Sequence, residues 1–275
     1  MKILAVFKTL LLLTFVSQAL FANDVTYIDT CGVSSSADNE TLVVTSDIQA
    51  NVSGSPCITI SHENVTLECD GHVLTAPTGG FYQGILIEEA GDGVTVRNCK
   101  LSGWWFSILH AGDNGLIEDN RITPCGFGLF LSEASGNDIL TNIIGLCSWD
   151  ALVLRNSNGN LIRDNGIYEN QNLRGIFLQN SDNNNIVDNR VGRNFMGILL
   201  FESSGNNLID NVSKGHWESA GIRLENSHDN LVADCNASRN GIGIEEIGED
   251  LNNIYEDNVC RTNATAASNI ENACN

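Results

Sequence analysis

A repeat of 22 to 24 residues runs from about residue 64 almost to the end of the chain. Three consecutive copies begin at Asn160, Asn183 and Asn206, and each contains an Asn, a short polar turn and the pattern G-I-x-L. A repeat of this length is typical of solenoids, in which every copy packs only on its neighbours. The architecture can therefore be predicted before any single residue is assigned a role, although architecture alone does not fix a function.

One Asn recurs at a fixed turn position in most copies. The aligned residues are Asn98, Asn120, Asn142, Asn165, Asn189, Asn211 and Asn258, and Cys69 and Cys235 take the same place in two further copies. In a stack of similar coils these amides can hydrogen-bond to one another along the stack, which satisfies a polar turn that is buried. The sequence therefore predicts a buried Asn ladder.

Each copy also contains a short apolar segment, such as Leu129–Leu131 or Ile176–Leu178, whose first and third residues are almost always aliphatic. Side chains alternate along a strand, so these two residues are expected to point into the core. Stacked coils place each strand beside its equivalent in the next coil, roughly 4.8 Å away, in a parallel sheet. We therefore expect an all-β solenoid of about eight to ten coils. A helical leucine-rich repeat is the main alternative, but its L-x-x-L-x-L pattern is missing.

The two ends of the chain depart from the repeat. Residues 1–22 predict a secretion signal, because Lys2 and Lys8 accompany a short apolar run that ends in small residues, with cleavage after Ala19 or Ala22. An N-terminal anchor helix is the alternative interpretation. No later segment is long and apolar enough to predict a membrane span. The remaining chain is expected to consist of an N-terminal cap with the first strands over residues 23–63, stacked repeats over residues 64–260, and a C-terminal cap or tail over residues 261–275.

All nine cysteines follow the predicted signal, which indicates an oxidising compartment, either extracellular or periplasmic. Cys125 and Cys147 each lie five residues after a ladder Asn, so we expect them to stack in adjacent coils and to form a disulfide. Cys235 replaces a ladder Asn and is expected to remain a buried free thiol. Three further pairs are expected, namely Cys31 with Cys57, Cys69 with Cys99, and Cys260 with Cys274.

The chain is acidic, with a formal net charge of -20 at pH 7. Nucleic acids and anionic membrane surfaces are therefore poor partners for it. Acidic polysaccharides would also be repelled, unless a divalent cation bridges them to the protein or Arg residues cluster locally.

The repeat pattern N-x-I-x-D-N-x-(I/V)…G-I-x-L…N-S resembles the right-handed parallel β-helix repeat of NosD-type proteins and of the carbohydrate-binding and sugar-hydrolase β-helix proteins. The stretch CITISHENVTLECDGHVL, from Cys57 to Leu74, is similar to the first coil of such secreted proteins. The resemblance covers about residues 57–258 and implies a single-domain, pectin-lyase-like β-helix. It implies no single activity, because such repeats serve lyases, hydrolases, epimerases, adhesins and accessory proteins of copper enzymes.

Motifs of the better-known β-helix enzymes are absent from the chain. The sequence lacks the Asp-Pro-His-Glu motif of mannuronan epimerases, the Gly-His-Gly motif of polygalacturonases and the Arg-x-Pro-x-x-Arg motif of pectate lyases. The five histidines are scattered without the i, i+2 or i, i+4 spacing of a metal site, which disfavours a copper role.

Aromatic residues recur just before the G-I-x-L strand in successive copies. They are Tyr82, Trp104, Trp105, Phe127, Trp149 and Phe195. Stacked in a solenoid, they would form a stripe along one edge of a sheet, and flat aromatic faces suit the rings of sugars. We expect Tyr82, Trp104, Phe127 and Trp149 to bind a glycan; the alternative is that these rings fold inward as part of the core.

Ionisable residues follow the same strand and supply the candidate catalytic groups, His110, Glu133, Asp150, Glu225 and Glu245. Glycosidase carboxylates lie about 5 to 5.5 Å apart for retention or 6.5 to 9.5 Å apart for inversion. Glu225 with Glu245, or Glu89 with Glu133 on either side of His110, would meet this spacing on stacked coils. Solvated turn residues are the alternative interpretation.

A second acidic column precedes the Asn ladder, and its members Asp164, Asp188 and Asp210 are candidate calcium ligands. Turn capping is the alternative for them. The sequence thus favours a secreted β-helix protein that binds or modifies a polysaccharide on one sheet face. If it is an enzyme, a hydrolase, lyase or epimerase is expected. The alternatives are a non-catalytic surface or matrix interaction protein and a periplasmic accessory factor, and the oligomeric state stays open.

Overall fold

The computed structural model describes residues 24–51, 56–78, 80–170, 172–249, 251–268, 270 and 273–274. The predicted secretion signal therefore lies outside the described residues. Within these ranges the chain contains β-strands and turns but no helix, so no helix there could cross a membrane. The strands form three parallel sheets, which are numbered here in the order in which each coil visits them.

Sheets 1 and 3 have eleven strands each, and sheet 2 has eight. Sheet 1 consists of Val25–Ile28, Thr41–Val44, Thr66–Glu68, Thr95–Arg97, Leu116–Glu118, Asp138–Leu140, Leu161–Arg163, Asn185–Val187, Asn207–Ile209, Leu231–Ala233 and Ile254–Glu256. Sheet 2 consists of Ile48–Gln49, Val73–Thr75, Lys100–Ser102, Arg121–Ile122, Ile143–Gly145, Gly166–Tyr168, Arg190–Gly192 and Val212–Lys214. Sheet 3 consists of Val33–Ser34, Ile58–Ile60, Gln83–Ile87, Trp104–His110, Cys125–Ser132, Leu152–Arg155, Arg174–Gln179, Met196–Phe201, Ala220–Glu225, Ile242–Ile247 and Ala266–Ser268.

The three sheets make a solenoid of about nine turns, which confirms the predicted architecture and number of coils. The stacked strands extend from Val25 to Ser268, so the region that the sequence assigns to an N-terminal cap already contributes strands to all three sheets. The interior is one continuous core of mostly aliphatic side chains from all three sheets. Ile139, Ile162 and Ile186, for example, are in register in sheet 1 and fully buried. Burying one such side chain contributes about 1.5–3 kcal/mol to stability relative to leaving it exposed.

A two-residue turn carries the chain from sheet 1 to sheet 2 in the regular coils. In the coil that begins at Leu161, this turn is Asp164 followed by Asn165, and Asp164 has a left-handed backbone with φ of 57°. Asp and Asn tolerate this conformation better than most other residues with a side chain. The same left-handed position is held in other coils by Asp119, Asp188, Asp210, Asp234 and Asp257. The acidic column of the sequence is thus the set of residues that bend the chain at this corner.

Asn120, Asn142, Asn165, Asn189 and Asn211 follow the turn and form a buried ladder of hydrogen bonds. The backbone N–H and the Nδ2–H of Asn165, for example, both donate to Oδ1 of Asn189 at 3.0 Å. Cys235 interrupts the amides, with its Sγ 3.9 Å from Nδ2 of Asn211, and its N–H donates to Oδ1 of Asn258 at 2.9 Å.

Asn98 does not belong to this ladder, and its assignment from the sequence is wrong by one residue. It is exposed with a left-handed φ of 56°, and its amide donates to Oε1 of Glu68 at 2.9 Å. Cys99 holds the ladder position instead, because its N–H donates to Oδ1 of Asn120 at 2.9 Å. The pair Asp-Asn of the other coils is Asn-Cys here, so Asn98 takes the place of the turn aspartate.

Two further ladders, which the sequence analysis did not identify, line the other two corners of the solenoid. The corner before sheet 1 holds Asn137, Asn160, Asn184, Asn206, Asn230 and Asn253. The corner after sheet 2 holds Asn170, Asn194, His216, Asn240 and Asn263. Each corner therefore has its own column of side chains that satisfy buried backbone N–H groups.

All four expected disulfides are present, and Cys235 is a buried free thiol. Two of the disulfides begin a ladder. Cys99, bonded to Cys69, donates its N–H to the first ladder at Asn120, and Cys147, bonded to Cys125, donates its N–H to Oδ1 of Asn170 at 2.8 Å. Covalent bonds thus replace amide pairing in the coils where the Asn columns have not yet started.

Candidate functional site

Five aromatic side chains cover one end of the outer surface of sheet 3, and we call them the aromatic face. They are Phe81, Trp105, Phe106, Phe127 and Trp149. Phe106 and Phe127 lie opposite each other in adjacent strands and stack with their ring centroids 4.9 Å apart. Phe127 stacks in turn on Trp149 at 5.8 Å with an interplanar angle of 20°. The rings form one contiguous cluster across four successive coils.

The local backbone explains why these rings point outward. Strand pairing between Trp104–His110 and Cys125–Ser132 skips Ser107 and Gly128, which are buried small residues at the bend before the aliphatic segment. A side chain at Gly128 would overlap the carbonyl oxygen of Ala151 in the next coil. Because Ser107 and Gly128 point inward, the residues directly before them, Phe106 and Phe127, point outward.

Trp104 is not part of the aromatic face, and its assignment as a ligand-binding residue is wrong. Its side chain is 1% exposed, and its Nε1–H donates to the carbonyl oxygen of Leu74 at 2.8 Å inside the solenoid. Trp105 takes the outer position, with Phe81 edge-on at 4.5 Å and Trp149 at 5.9 Å. Neighbouring residues of a strand point to opposite faces, so a shift of one residue exchanges surface for core.

The other aromatic candidates, and Phe81, which was not predicted from the sequence, occupy three different environments. Trp149 is 43% exposed and Phe81 is 75% exposed, whereas Phe127 is half-buried between its neighbours. Tyr82 is half-buried and packs against the internal core. Phe195 is exposed but lines a separate hollow beside Arg193 and Trp217.

An apolar column continues the aromatic face along the axis of the solenoid. It consists of Leu109, Phe130, Val153, Phe177 and Leu199, which are in register on the outer side of sheet 3. Together with Met196 and Phe201 they form a second cluster, separate from the internal core. The column changes to charged residues at Arg223 and Glu245, which form an ion pair at 2.5 Å.

A largely buried ion pair lies directly after Trp149, at the edge of the aromatic face. The guanidinium of Arg174 holds the carboxylate of Asp150 through two hydrogen bonds, and it also lies 3.7 Å from the ring centroid of Phe177. Arg155 lies over Phe130 at 5.2 Å. Charge-assisted paired bonds of this kind fix both side chains, and the stacking on aromatic rings adds attraction.

The structure does not bring the predicted catalytic residues together as the sequence suggested. His110 is in register with Ile87 and Leu131, so it points into the core, where its Nε2 lies 3.0 Å from Oδ1 of Asn137. Burial lowers the pKa of His110 to about 4. Glu133 is an exposed turn residue with a left-handed φ of 57°. The arrangement of Glu89 and Glu133 on either side of a surface His110 is therefore wrong.

The second predicted pair, Glu225 with Glu245, is also out of register. Glu225 pairs with Ile247 in the next strand, and Glu245 pairs with Arg223, so the two carboxylates are offset by two residues. Asp150 is committed to Arg174 with its side chain 4% exposed. The candidate calcium ligands Asp164, Asp188 and Asp210 are exposed turn residues, and no group of three His, Cys, Asp or Glu within the described ranges could hold a metal ion.

A groove on the outer surface of sheet 2 was not predicted. It has a volume of about 650 Å³, and its charged lining residues are Arg121, Glu169, Arg193 and Lys214. Tyr168 lies on its floor and is 39% exposed, with the apolar side chains of Ile143 and Leu146 beside it. The sequence signal for this groove is weak, because its residues come from five coils and share no common spacing motif.

The chain matches known proteins in both sequence family and fold. The profile of the family described as right handed beta helix region matches residues 83–220. No curated protein matches the chain in sequence. Among solved structures, the A-module of a mannuronan C-5 epimerase from Azotobacter vinelandii has a TM-score of 0.68 at 13% identity, covering 90% of this chain and 88% of that one.

Two further structures have the same architecture. A periplasmic alginate epimerase has a TM-score of 0.65 at 14% identity, covering 86% of this chain and 73% of that one. The Dettilon tailspike protein has a TM-score of 0.55 at 16% identity, covering 85% of this chain and 60% of that one. Similarity at these identities establishes the fold. The family profile matches half of the chain, and the chain forms three parallel sheets. These findings show that the chain belongs to the right-handed β-helix family.

Proposed function

We propose that the aromatic face binds a neutral or weakly charged polysaccharide in an extracellular or periplasmic compartment. The observation that carries the proposal is a contiguous ring cluster in which the exposed Trp149 and Phe81 are joined through Trp105. Sugar rings have apolar C–H faces, and flat aromatic side chains bury them at a low cost in conformational entropy.

The exposure of these rings needs an explanation in a secreted protein. A soluble protein rarely leaves a contiguous apolar patch in water unless the patch contacts a ligand or partner. The rings come from successive coils, which are spaced roughly 4.8 Å apart, so they present a surface that extends along the axis to a repeating polymer. Four disulfides suit an oxidising compartment outside the cytosol. Polysaccharides are found in such compartments.

Proteins of similar fold support the choice of ligand. Two of them are named as a mannuronan C-5 epimerase and an alginate epimerase, and a third is named as a DFA-IIIase, with a TM-score of 0.50 at 14% identity. The first two names specify a polysaccharide as the substrate. A β-helix is thus a suitable scaffold for placing a polysaccharide along stacked strands.

The proposed role of the aromatic face is to bind a polysaccharide, not to cleave its glycosidic bonds. Among the predicted catalytic groups, His110 is inside the core, and Asp150 and Glu245 are each held by an Arg side chain. A retaining or inverting glycosidase needs two carboxyl groups that face the same bond. The residues of this chain beside the aromatic face do not provide such a pair among those that the structure describes.

The test is a binding screen on neutral oligosaccharides with wild-type protein and a Trp105→Ala/Trp149→Ala double variant. If each ring contributes about 1 kcal/mol, the double variant should bind at least about tenfold more weakly. Trp217→Ala is the matched control, because Trp217 is 66% exposed but lies in a different hollow.

The outcomes separate the alternatives. Loss of binding in the double variant with normal binding by Trp217→Ala supports the proposal. If no neutral glycan binds, or if the double variant binds as wild type does, the proposal is wrong. A change in oligomeric state of the double variant, without any glycan binding by wild type, would instead identify the face as a protein contact. Release of reducing ends from a bound glycan would contradict the claim of binding without cleavage.

A further inference from the structure

The strands of sheet 2 have a charge unlike that of the rest of the chain. Lys100, Arg121, Arg190 and Lys214 lie in them, and none of the Asp and Glu residues of the protein lies in any described strand of this sheet. The whole chain has 34 acidic and 14 basic residues. These four basic residues, without an acidic residue in the same described strands, give sheet 2 a locally positive outer surface on an acidic protein.

The groove described above lies on this surface and contains cations that are available to a ligand. Arg193 forms an ion pair with Glu169 at 3.1 Å, but Arg121 and Lys214 form no ion pair with any described residue. Arg121 and Lys214 belong to strands four steps apart in the sheet, so they lie about 19 Å apart along the axis at roughly 4.8 Å per step. The groove thus has a positive group near each end.

Glycines leave room for the ring of Tyr168 on the floor of the groove. A side chain at Gly166 would come within 2.8 Å of Cε2 of Tyr168, and one at Gly192 would come within 3.3 Å of Cδ1. The Tyr168 ring therefore occupies the space that these two glycines leave open. Gly145, which pairs with Tyr168 in the preceding coil, adds no side chain to the groove either.

We propose that the groove on sheet 2 is a second glycan site that binds an oligosaccharide with spaced negative charges, such as the carboxylates of acidic sugars. A sugar ring packs on Tyr168, and carboxylate groups on either side of it reach Arg121 and Lys214. An Arg guanidinium matches the geometry of a carboxylate with two parallel hydrogen bonds. The net charge of the protein repels acidic polymers at long range, but this local cluster supplies the attraction that they require.

The acidic turn residues beside sheet 2 select this ligand over a nucleic acid. Asp119, Asp164, Asp188 and Asp210 run along the corner between sheets 1 and 2, parallel to the groove. A nucleic acid that extends beyond the groove would place some of its phosphates against this column. An oligosaccharide confined to the groove places its charges on the basic side only.

The experiment compares trigalacturonic acid with its methyl ester, which keeps the sugar rings and removes the charge, by isothermal titration calorimetry on the full chain. Wild type is expected to bind the acid more tightly than the ester and to lose this difference at high ionic strength. Arg121→Gln and Lys214→Gln should each weaken binding of the acid by about tenfold, because a hydrogen bond to a charged group is lost. Binding of the ester should stay unchanged in both variants.

Two variants test the floor of the groove, and two serve as controls. Tyr168→Ala should weaken binding of both compounds, and Gly166→Ala should do the same by displacing the ring without removing it. Arg163→Gln removes an equal charge from the exposed surface of sheet 1 and should leave binding unchanged. Trp217→Ala, at an exposed aromatic residue that belongs to neither proposed site, should also leave it unchanged.

Equal binding of acid and ester by wild type, or no binding of either, would overturn the proposal. It would also be overturned if Arg163→Gln weakened binding of the acid as much as Arg121→Gln does, since the effect would then be general electrostatics. Displacement of the acid by a short single-stranded DNA at lower concentration would assign the groove to nucleic acids instead. Melting temperatures of the exposed-site variants should match that of wild type, which keeps loss of binding separate from loss of fold.

Discussion

The carboxylate of Asp150 receives two hydrogen bonds from the guanidinium of Arg174, from Nε to Oδ1 at 2.7 Å and from Nη2 to Oδ2 at 2.6 Å. The backbone N–H of Arg174 donates to the same Oδ1 at 2.9 Å. Asp150 follows Trp149 directly, so this pair anchors the edge of the aromatic face to the next coil. A residue that the sequence offered as a catalytic acid is thus a structural support of the proposed site.

Removing one partner of a buried ion pair leaves an uncompensated charge, so Asp150→Asn should lower the free energy of unfolding by about 2–4 kcal/mol. Asp164→Asn is the matched control. Asp164 is exposed, pairs with Arg163 only at 3.6 Å, and has a left-handed backbone that Asn tolerates. Its replacement should change stability by less than about 0.5 kcal/mol. Urea unfolding of both variants measures the difference, and equal values would show that the Asp150 pair contributes nothing special.

Trp104 and Trp105 are adjacent in the sequence but should respond in opposite ways to replacement. Trp104→Ala opens a cavity in the core and removes the hydrogen bond to Leu74, so it should cost about 3–5 kcal/mol of stability. Trp105→Ala removes a ring from the outer surface and should cost less than about 1.5 kcal/mol. Thermal melts of the two single variants test this assignment of faces. A larger loss for Trp105→Ala would reverse it.

The Asn ladder should be visible in stability measurements. Asn189→Leu leaves the N–H of Asn165 and neighbouring groups without their acceptor, at a cost of about 1–3 kcal/mol. Asn185→Thr is the control, because Asn185 is an exposed strand residue of sheet 1 in the same coil, and its replacement should cost about 0.5 kcal/mol or less. Chemical denaturation of both proteins gives the comparison. If the ladder contributed nothing to the free energy of unfolding, the two variants would be equally stable.

The buried His110 should make stability depend on pH. Burial lowers its pKa to about 4, whereas the unfolded chain has the ordinary value of 6.5. The unfolded state therefore binds more protons between these two values, and the free energy of unfolding falls as the pH drops through this window, by about 3 kcal/mol for this group.

His110→Leu should remove this part of the pH dependence, because Leu is compatible with the neighbouring Ile87 and Leu131. His228→Gln, which changes an exposed histidine, should keep it. Urea unfolding at several pH values across the window measures both slopes. If His110→Leu kept the full slope of wild type, the neutral buried state of His110 would be excluded.

The sequence predicted the features that repeat in every coil. The aliphatic pairs of the G-I-x-L strands, the ladder from Asn120 to Asn211 and the stacking of Cys125 on Cys147 follow from the spacing alone, since equivalent residues of a solenoid must lie above one another. The second and third ladders follow from the same rule. They were missed because the copies were aligned on one Asn, while Asn160 and Asn170 of the same coil have their own columns.

The candidate site was less predictable because it depends on single-residue register. Trp104 and Trp105 differ by a single residue of register, and the inward direction of His110 is set by its pairing with Ile87 and Leu131. The repeat pattern of the sequence does not reveal the direction of either side chain. The groove on sheet 2 depends on glycines that lie beside Tyr168. Their role can be recognised only when the coils are stacked.

Oxidative footprinting of tryptophan side chains, with and without a saturating neutral oligosaccharide, tests most directly whether the aromatic face is the glycan site. Trp149 and Trp217 are both exposed in the free protein, so both should be oxidised, and the internal Trp104 should react much more slowly. With the oligosaccharide bound, we expect strong protection of Trp149 and an unchanged rate at Trp217. Full reactivity of Trp149 in the saturated complex would contradict it.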